Sequence, residues 1–336
     1  MPGPSGADGA RVPDANYSAG DDDFDPAADS AGELIAFRAP ENPQGKRIDL
    51  FLSRLVPQFS RARLQDWLGT GRVKLDGVPA GSKTRLLGGE WVELTTAPTP
   101  EENAFAPEPI ALDIRFEDRD VIIINKPPGL VVHPGAGNWS GTMLNGLLHH
   151  APALAAVPRA GIVHRLDKET SGLMVVAKTL EAQTSLVRQL QARSVRREYL
   201  AVAAGSVASA GTIDASIGRH PTQRKLMAVL DAAATGAKPA VTHYVPLASY
   251  RSGATLVECR LETGRTHQIR VHLRHIGHPL VGDQVYGVMP SRAWFGRQAL
   301  HAGRLAFEHP AQKKVVAYEM APPADMAALL AELEAS

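Results

Sequence analysis

Cysteine is almost absent from this chain of 336 residues, which contains only Cys259. A single cysteine cannot form an intrachain disulfide, and its position in the strand-like run 255–259 favours a buried structural thiol over a reactive nucleophile. The chain also lacks any apolar run near the ~20 residues that cross a bilayer. Its first residues lack the basic start and apolar stretch of a signal peptide. These absences predict a cytoplasmic protein with no membrane partner.

Metal-binding and dinucleotide-binding patterns are missing as well. Four histidines lie between His267 and His278, but they alternate with arginines, and neither an HExxH nor a CxxC spacing occurs. The glycine-rich segment 135–141 misses the spacing of a dinucleotide-binding loop by one residue. We therefore predict no metal site and no Rossmann-type nucleotide site.

Negative charge is concentrated at the start of the chain. The first 31 residues contain seven aspartates and one arginine, a net charge of −6, so the remaining residues carry +7 while the whole chain carries +1. A basic body of this kind favours a nucleic acid as partner. The tail is otherwise rich in Gly, Ala, Pro and Ser, which predicts disorder.

Composition and periodicity divide the chain into segments. Residues 33–95 have the pattern of two helices followed by short strands, with Ser60 as the N-cap of the second helix and a turn at Asp76-Gly77. The proline-rich stretch that follows has no periodic pattern and predicts a linker. The predicted segments are a disordered acidic tail 1–32, a small domain 33–95, a linker 96–109, a large domain 110–323 and a terminal helix or tail 324–336.

The large domain has many candidate strands and few helices, which predicts an α+β fold around a mixed, mainly antiparallel sheet. Strands are predicted at 114–117, 121–125, 173–178, 198–203, 241–249, 254–261, 300–307 and 314–319. Helices are predicted at 142–149, 180–191 and 266–276.

The stretch 161–178, GIVHRLDKETSGLMVVAK, combines a charged loop with an apolar strand. A short loop at the end of a rigid strand can hold a carboxylate at a fixed depth in a cleft, so Asp167 is a candidate catalytic group. Considered alone, Asp167 could equally be a turn former or a helix cap that pairs with Arg165 or Lys168.

The stretch 161–178 resembles the signature of the RluA-type pseudouridine synthases, which isomerise uridine in RNA. The resemblance continues upstream in 125–134, NKPPGLVVHP, and downstream in 261–272, LETGRTHQIRVH, and covers roughly residues 47–318. It implies the pseudouridine synthase fold for the large domain. Residues 33–95 resemble the alpha-L RNA-binding motif, although Gly88-Gly89-Glu90 stands where that motif usually has Gly-Asp.

The resemblance implies catalytic roles for three residues. Asp167 corresponds to the catalytic aspartate, Arg270 to the arginine that pairs with it, and Tyr199 to the active-site tyrosine. An ionised carboxylate beside C1′ of the sugar can act as nucleophile, as electrostatic partner or as base, and the sequence leaves these roles open. Without the resemblance, Arg270 could clamp a sheet edge or a phosphate, and Tyr199 could be a core aromatic. The isomerisation gains and loses no atom, so no cofactor is expected.

Further contacts with RNA are expected around these residues. Arg165 could fill the stack that the extruded uridine vacates. The predicted substrate-binding residues are Arg165, His164, Ile269, Arg265 and Lys126. The predicted phosphate contacts of the small domain are Arg61, Arg63, Lys83 and Arg85.

The implied substrate is a stem-loop of 23S rRNA, free or in an assembling large ribosomal subunit, and the chain is expected to act as a monomer. A tRNA-directed synthase is the alternative within the family. A non-catalytic RNA-binding assembly factor would need the basic surface but not Asp167. A glycosidase that releases uracil would ordinarily need a second carboxylate ~5–9 Å away, for which only Glu169 is a local candidate.

Overall fold

The computed structural model describes residues 33–43, 45–97, 102–135, 137–223 and 226–335. It contains two compact units, residues 1–98 and residues 99–336. The predicted acidic tail 1–32 and part of the predicted linker lie outside the described residues. No helix in the described ranges is long and apolar enough to cross a membrane.

The first unit contains two helices and a small antiparallel sheet. Ser60 accepts a hydrogen bond from the backbone N–H of Arg63 and caps the second helix, as predicted. Asp76 and Gly77 both have positive φ, 47° and 81°, which is the geometry of a tight hairpin turn. The elements are β1 (Leu34–Arg38), α1 (Ile48–Leu55), α2 (Arg61–Gly69), β2 (Val73–Leu75), β3 (Val78–Pro79) and β4 (Trp91–Thr95). The sheet order is β1-β4-β2-β3, and apolar residues of both helices pack on it.

The second unit is built on one large sheet. The strands of the second unit are β5 (Ile114–Glu117), β6 (Val121–Lys126), β7 (Ser171–Ala177), β8 (Arg196–Ala204), β9 (Gly211–Asp214), β10 (Ile217–Arg219), β11 (Met227–Val229), β12 (Val241–Tyr250), β13 (Ala254–Leu261), β14 (Leu300–Glu308) and β15 (Val315–Glu319). Of these, β10 and β11 form a separate two-stranded sheet. Its helices are α3 (Met143–His150), α4 (Leu180–Gln191), α5 (Gln268–His275) and α6 (Ala324–Ala335).

The strand order of the large sheet is β5-β6-β7-β14-β8-β13-β12-β9, and β15 pairs with β14. Only β7 and β14 run parallel; every other pair in this sheet is antiparallel. The α+β class with a mainly antiparallel mixed sheet is therefore confirmed. Strand β14 lies between β7, which follows the Asp167 loop, and β8, which carries Tyr199.

The central strands β6 and β7 are buried on both faces. Ile122, Ile124, Met174 and Val176 pack toward α3, while the alternate residues of the same strands pack toward α4. A strand covered on both sides needs apolar residues at every position, which explains the continuous apolar runs of the two segments. Helix α6 packs on the sheet through Met326, Leu329 and Leu333.

Two glycines of the stretch 161–178 fix the loop that carries Asp167. Gly172 has a φ of +117° and lies against the backbone of Ala302, so that a Cβ at this position would clash with the carbonyl oxygen of Ala302. Gly161 has a φ of +75°, and a Cβ at this position would clash with the backbone of Ala177. Both ends of the loop are thus held against neighbouring strands where only glycine fits.

Candidate active site

Asp167 lies in a cleft of about 1390 Å³ in the second unit. The walls are the loop 162–170, strand β8, the segment 261–270 and part of the segment 284–300. Eight arginines and lysines line this cleft against three aspartates and glutamates. The excess of positive charge suits a polyanionic substrate.

The two carboxylate oxygens of Asp167 differ in their surroundings. The Nη1 of Arg270 donates to Oδ2 at 3.1 Å, which is the pairing predicted from the sequence. On the other side, Nε2 of His267 lies 4.0 Å from Oδ1. The side chain is 16% exposed, so the carboxylate is accessible from the cleft but largely shielded from water. Oδ1 is therefore the oxygen available to a substrate.

Arg270 is oriented by a second carboxylate, Asp283. The Nε and Nη2 atoms of Arg270 donate to the two oxygens of Asp283 at 2.7 and 2.9 Å. This fork leaves Nη1 directed at Asp167. Burial disfavours the charged guanidinium, but the hydrogen bonds and charge of Asp283, followed by those of Asp167, outweigh burial and raise the pKa of Arg270. Arg270 is thus a fixed positive charge.

Asp283 is completely buried and fully hydrogen-bonded. One of its oxygens also accepts from the backbone N–H groups of Val285 and Tyr286, both at 2.9 Å. Burial favours its neutral form, but the hydrogen bond from Arg270 and these backbone groups hold the pKa of Asp283 below its usual value. Because both of its oxygens are occupied, Asp283 positions Arg270 and is not free to act on a substrate.

His267 is held beside Asp167 by Tyr286. It has a φ of 57° and precedes α5, so the predicted helix over 266–276 starts only at Gln268. Its Nδ1 lies 2.8 Å from the hydroxyl of Tyr286, which accepts from the backbone N–H of Met227 at 2.9 Å. Burial lowers the pKa of His267 despite the negative charge of Asp167. In the neutral ring with Nδ1 as acceptor, Nε2 carries the proton that faces the carboxylate.

Tyr199 and Arg197 project from the same face of β8 into the cleft, because alternate residues of a strand share a face. Each is only 6% exposed. Burial raises the pKa of Tyr199, and Asp167 adds to this shift while the charge of Arg197 opposes it. The neutral phenol is the stable form beside Asp167.

Four of the five predicted substrate-binding residues line the cleft. Arg165 and Arg265 are exposed, and the Nε of Arg265 donates to the carbonyl of Pro239. Ile269 is buried in the core behind the cleft. His164 is anchored, since its Nε2 accepts from the backbone N–H of Val175. Burial, with a smaller contribution from Arg197, lowers the pKa of His164 to about 3, so this ring is neutral.

Lys126 was predicted to contact the substrate, but it does not line the cleft and instead binds backbone carbonyls in the interior. It is fully buried, and its Nζ donates to the carbonyls of Pro127, Leu130 and Lys168 at 2.8 to 2.9 Å. Three acceptors satisfy all three donors of an ammonium group. Burial lowers the pKa of Lys126 to about 7, although Glu169 and Asp167 favour the charged form. Lys126 ties the end of β6 to the loop of Asp167.

The predicted phosphate contacts of the first unit mostly hold their own unit together. Arg61 pairs with the buried Asp49 at 2.9 Å. Arg63 lies 4.9 Å from the centre of the Trp67 ring and donates to the carbonyl of Ala97. Arg85 donates to the carbonyl of Gly45. Lys83 is exposed. Lys83 is thus the one of these four residues that is exposed and makes no described contact within the unit.

Asp283, Tyr286, His267 and Arg197 were not predicted to belong to the site. Asp283 follows an apolar run, a common place for a functional carboxylate, but no spacing in the sequence links it to Asp167. Only the return of the chain after α5 brings the two together. In the described ranges, no group of three or more His, Cys, Asp or Glu side chains could hold a metal ion.

The fold and this cleft define an RNA-modifying enzyme. The structure is similar to the solved structure of human RNA pseudouridylate synthase domain containing 1, with 29% identity and a TM-score of 0.52, over 68% of this chain and 87% of that one. It is also similar to human RNA pseudouridylate synthase domain containing 4, with 26% identity and a TM-score of 0.51, over 66% and 92% of the two chains.

The RNA pseudouridylate synthase family profile matches residues 120–275. The chain is 51% identical to ribosomal large subunit pseudouridine synthase D of Neisseria meningitidis serogroup B, over 95% of this chain and 87% of the relative. It is likewise 51% identical to the enzyme of that name from Escherichia coli, over 88% and 93% of the two chains. The chain belongs to the RluA-type pseudouridine synthase family and is an RNA pseudouridine synthase, which confirms the predicted family, fold and enzyme class.

Proposed function

We propose that this enzyme converts a uridine in a stem-loop of 23S rRNA to pseudouridine, with Asp167 as the catalytic carboxylate and without a cofactor. The observation that carries the catalytic part is the Asp167–Arg270–Asp283 arrangement in a cationic cleft. The ribosomal target is supported by the names of relatives that are about half identical to this chain over most of its length. We propose that the protein acts in the cytoplasm as a monomer.

The reaction begins at the bond between N1 of uracil and C1′ of the ribose. Positive charge develops on the sugar as this bond breaks, and a carboxylate beside C1′ stabilises it or attacks it. Arg270 donates a hydrogen bond to Oδ2 of Asp167 and leaves Oδ1 open to the sugar. The same oxygen could instead accept a proton from the sugar, so three chemical roles fit this geometry.

The target base has to leave its stack to reach Asp167, because the carboxylate lies inside the cleft. The exposed Arg165, two residues before the aspartate, is suited to hold the displaced strand. Tyr199 offers a ring on which the extruded uracil can stack. The exposed Arg265 and Lys168 then serve the phosphates around the entrance of the cleft.

A hydrolase would need a second acid for the same bond. Asp283 cannot serve because it is buried and its oxygens accept four hydrogen bonds from Arg270, Val285 and Tyr286. Asp283 is thereby excluded as the second acid of a hydrolase, and Glu169 remains the local candidate in the lining of the cleft.

The test is a map of pseudouridine in total RNA from cells that lack this protein. We expect specific large-subunit rRNA positions to lose pseudouridine, and wild-type protein but not Asp167→Asn to restore it. The Asn variant should still bind RNA. Loss of tRNA positions alone would overturn the ribosomal target, and free uracil in place of pseudouridine would overturn the isomerisation.

A further inference from the structure

Three arginines among the described residues are buried, and all three line the cleft. Arg270 is balanced by Asp283 and Asp167. Arg297 is balanced by Asp325, with Nε and Nη2 donating at 2.7 and 2.9 Å. Arg197 has no carboxylate within 4.0 Å in the described part of the chain. A buried charge without a partner is costly, so the partner of Arg197 has to come from elsewhere.

The surroundings of Arg197 leave donors unused. Its Nη2 makes a long hydrogen bond of 3.3 Å to the carbonyl of Glu262, and its Nε has no partner among the described atoms. The carboxylate of Glu262 is already occupied by Arg193 and His243, each at 2.7 Å. Gly264 lies directly against Nη1, where a Cβ would come within 2.8 Å of it. The guanidinium is thus closely held, yet its charge and its donors are not satisfied.

The position of Arg197 favours the base over the phosphates of the substrate. A phosphodiester continues into the chain on both sides and has to remain near the entrance, where the exposed Arg165 and Arg265 lie. Arg197 is 94% buried and shares the cleft face of β8 with Tyr199. His164 lines the same cleft as Arg197 and Tyr199. A base extruded toward Tyr199 would bring its polar edge to this guanidinium.

We propose that Arg197 is a further catalytic residue that stabilises the uracil anion. This inference rests on the proposed function. When the bond between N1 and C1′ breaks, its electron pair stays on N1, and the negative charge spreads to O2 and O4 of uracil. Arg197 donates hydrogen bonds to one of these oxygens and remains protonated throughout. Formation of the bond between C5 and C1′ neutralises this charge, and a proton is then lost from C5 while N1 gains one, so the proton count does not change. Arg197 therefore acts on the transient anion.

The test compares Arg197→Met with Arg196→Met on the RNA that the wild-type enzyme modifies. Arg196 is the exposed neighbour on β8, lies outside this cleft and carries the same charge, so it controls for the loss of one cation. We expect Arg197→Met to lower the single-turnover rate about 10²- to 10³-fold at saturating RNA, as for loss of one oxyanion donor. The Kd for RNA should change less than about threefold. Arg196→Met should keep the wild-type rate constant.

Chemical rescue separates catalysis from structure. Methylguanidinium added to Arg197→Ala should restore part of the rate, whereas ethylammonium should restore less because it lacks the planar pair of donors. Should Arg197→Met or Arg197→Ala fail to fold, Arg197→Gln keeps a hydrogen bond to Glu262 without the charge and is expected to show the same loss of rate.

Two results would overturn this role. A weaker Kd with an unchanged rate constant would assign Arg197 to a phosphate, and a rate loss that no guanidinium rescues, with a lowered Tm, would make it structural. A wild-type enzyme that forms no pseudouridine would instead refute the proposed function itself.

Discussion

Arg270 lies between two carboxylates with different tasks. Asp283 is fully buried and accepts hydrogen bonds on both oxygens, so it is fixed and unreactive. Asp167 receives a single hydrogen bond from Arg270 and keeps one oxygen toward the cleft. The buried Asp283 therefore determines the direction of the Arg270 guanidinium, and Arg270 in turn donates a hydrogen bond to the accessible Asp167.

Replacing Asp283 with Asn should disturb catalysis without a comparable effect on RNA binding. An amide cannot accept the fork from Arg270 with both atoms, so Nη1 should lose its alignment with Asp167. We expect the single-turnover rate to fall about 10²-fold, the size of effect expected when one preorganised charge interaction is lost. Rates at saturating RNA, together with Kd, measure this directly.

Asp325→Asn is a control, because Asp325 binds Arg297 with the same fork distances of 2.7 and 2.9 Å, and Arg297 contacts the carbonyl of Glu169 rather than Asp167 itself. Its rate should remain within about threefold of wild type. Equal losses in the two variants would contradict the positioning role of Asp283.

His164 should make the fold sensitive to acid. Its folded pKa of about 3 is below the ordinary value of 6.5, so the unfolded chain binds a proton that the folded chain does not. Stability from this group is present above pH 6.5 and is lost progressively as the pH falls toward 3. At about 1.4 kcal/mol per pH unit, protonation of His164 in the unfolded chain lowers the free energy of unfolding by at most about 2 kcal/mol between pH 6.5 and pH 5.

Urea denaturation of the wild type and His164→Gln at both pH values measures this dependence. Glutamine can still accept from the backbone N–H of Val175 but does not titrate in this range, so the variant should lose less stability on acidification. Equal losses for both proteins would show that the ring does not remain neutral when buried.

At the scale of residues, the sequence was sufficient where a motif carried the chemistry. Asp167 and Arg270 were paired through the resemblance, and the structure brings them to 3.1 Å. Asp283 and Arg197 were missed for a physical reason. Their importance depends on which charges face one another across the fold, and Arg197 differs from its neighbour Arg196 only in the face of the strand on which it lies.

Strand β14 connects the parts of the site at the scale of elements. It pairs in parallel with β7 at Ser171 and Gly172 and antiparallel with β8 near Tyr199. The loop of Asp167 and the strand of Tyr199 therefore have no direct pairing with each other. Their separation is determined by the width of one intervening strand, about 4.8 Å per step across the sheet.

Gly172→Ala tests this arrangement. The new Cβ would clash with the backbone of Ala302 and would require a φ of +117°, so we expect a loss of about 3 kcal/mol or more in the free energy of unfolding. Activity should fall as β7 moves away from β14. Chemical denaturation and pseudouridine formation are the measurements.

The control is Gly253→Ala in the hairpin between β12 and β13. Gly253 also has a positive φ, +81°, but a Cβ there meets nothing within 4 Å. The cost should be only about 1 kcal/mol from backbone strain, with activity retained. If both variants lost the same stability, the close approach of β7 and β14 would not be the cause.

Elements with clear periodicity were predicted well. The bounds of α4, β5 and β13 match the predicted ranges, because each has an apolar pattern of the right period and a clear turn or cap at its ends. Strands β9, β10 and β11 were not predicted, since they are only three or four residues long. β9 is formed by pairing with β12, and β10 and β11 by pairing with each other. Strand β1 was missed for the same reason, as it depends on pairing with β4.

At the scale of the whole molecule, the cationic cleft should determine how binding depends on salt. Each phosphate contact releases a counterion, so log Kd should change linearly with log salt concentration. Arg265→Gln should reduce the slope by about one, because its side chain is exposed at the cleft. Filter binding over a range of KCl concentrations gives the slopes.

Arg304→Gln provides the comparison, since Arg304 is also partly exposed but pairs with Glu198 and Glu319 away from this cleft. Its slope should equal that of wild type. A reduced slope for Arg304→Gln would mean that the RNA path extends beyond the cleft described above.

The central place of β14 also has a consequence for the order in which the enzyme becomes competent during translation. The loop of Asp167 is synthesised about 130 residues before β14, the strand that lies between this loop and the strand of Tyr199. A nascent chain that ends before Leu300 already contains Asp167, Tyr199 and Arg270 but lacks the element that sets their spacing. We therefore expect the nascent chain to become active only after β14 has been synthesised and has joined the sheet.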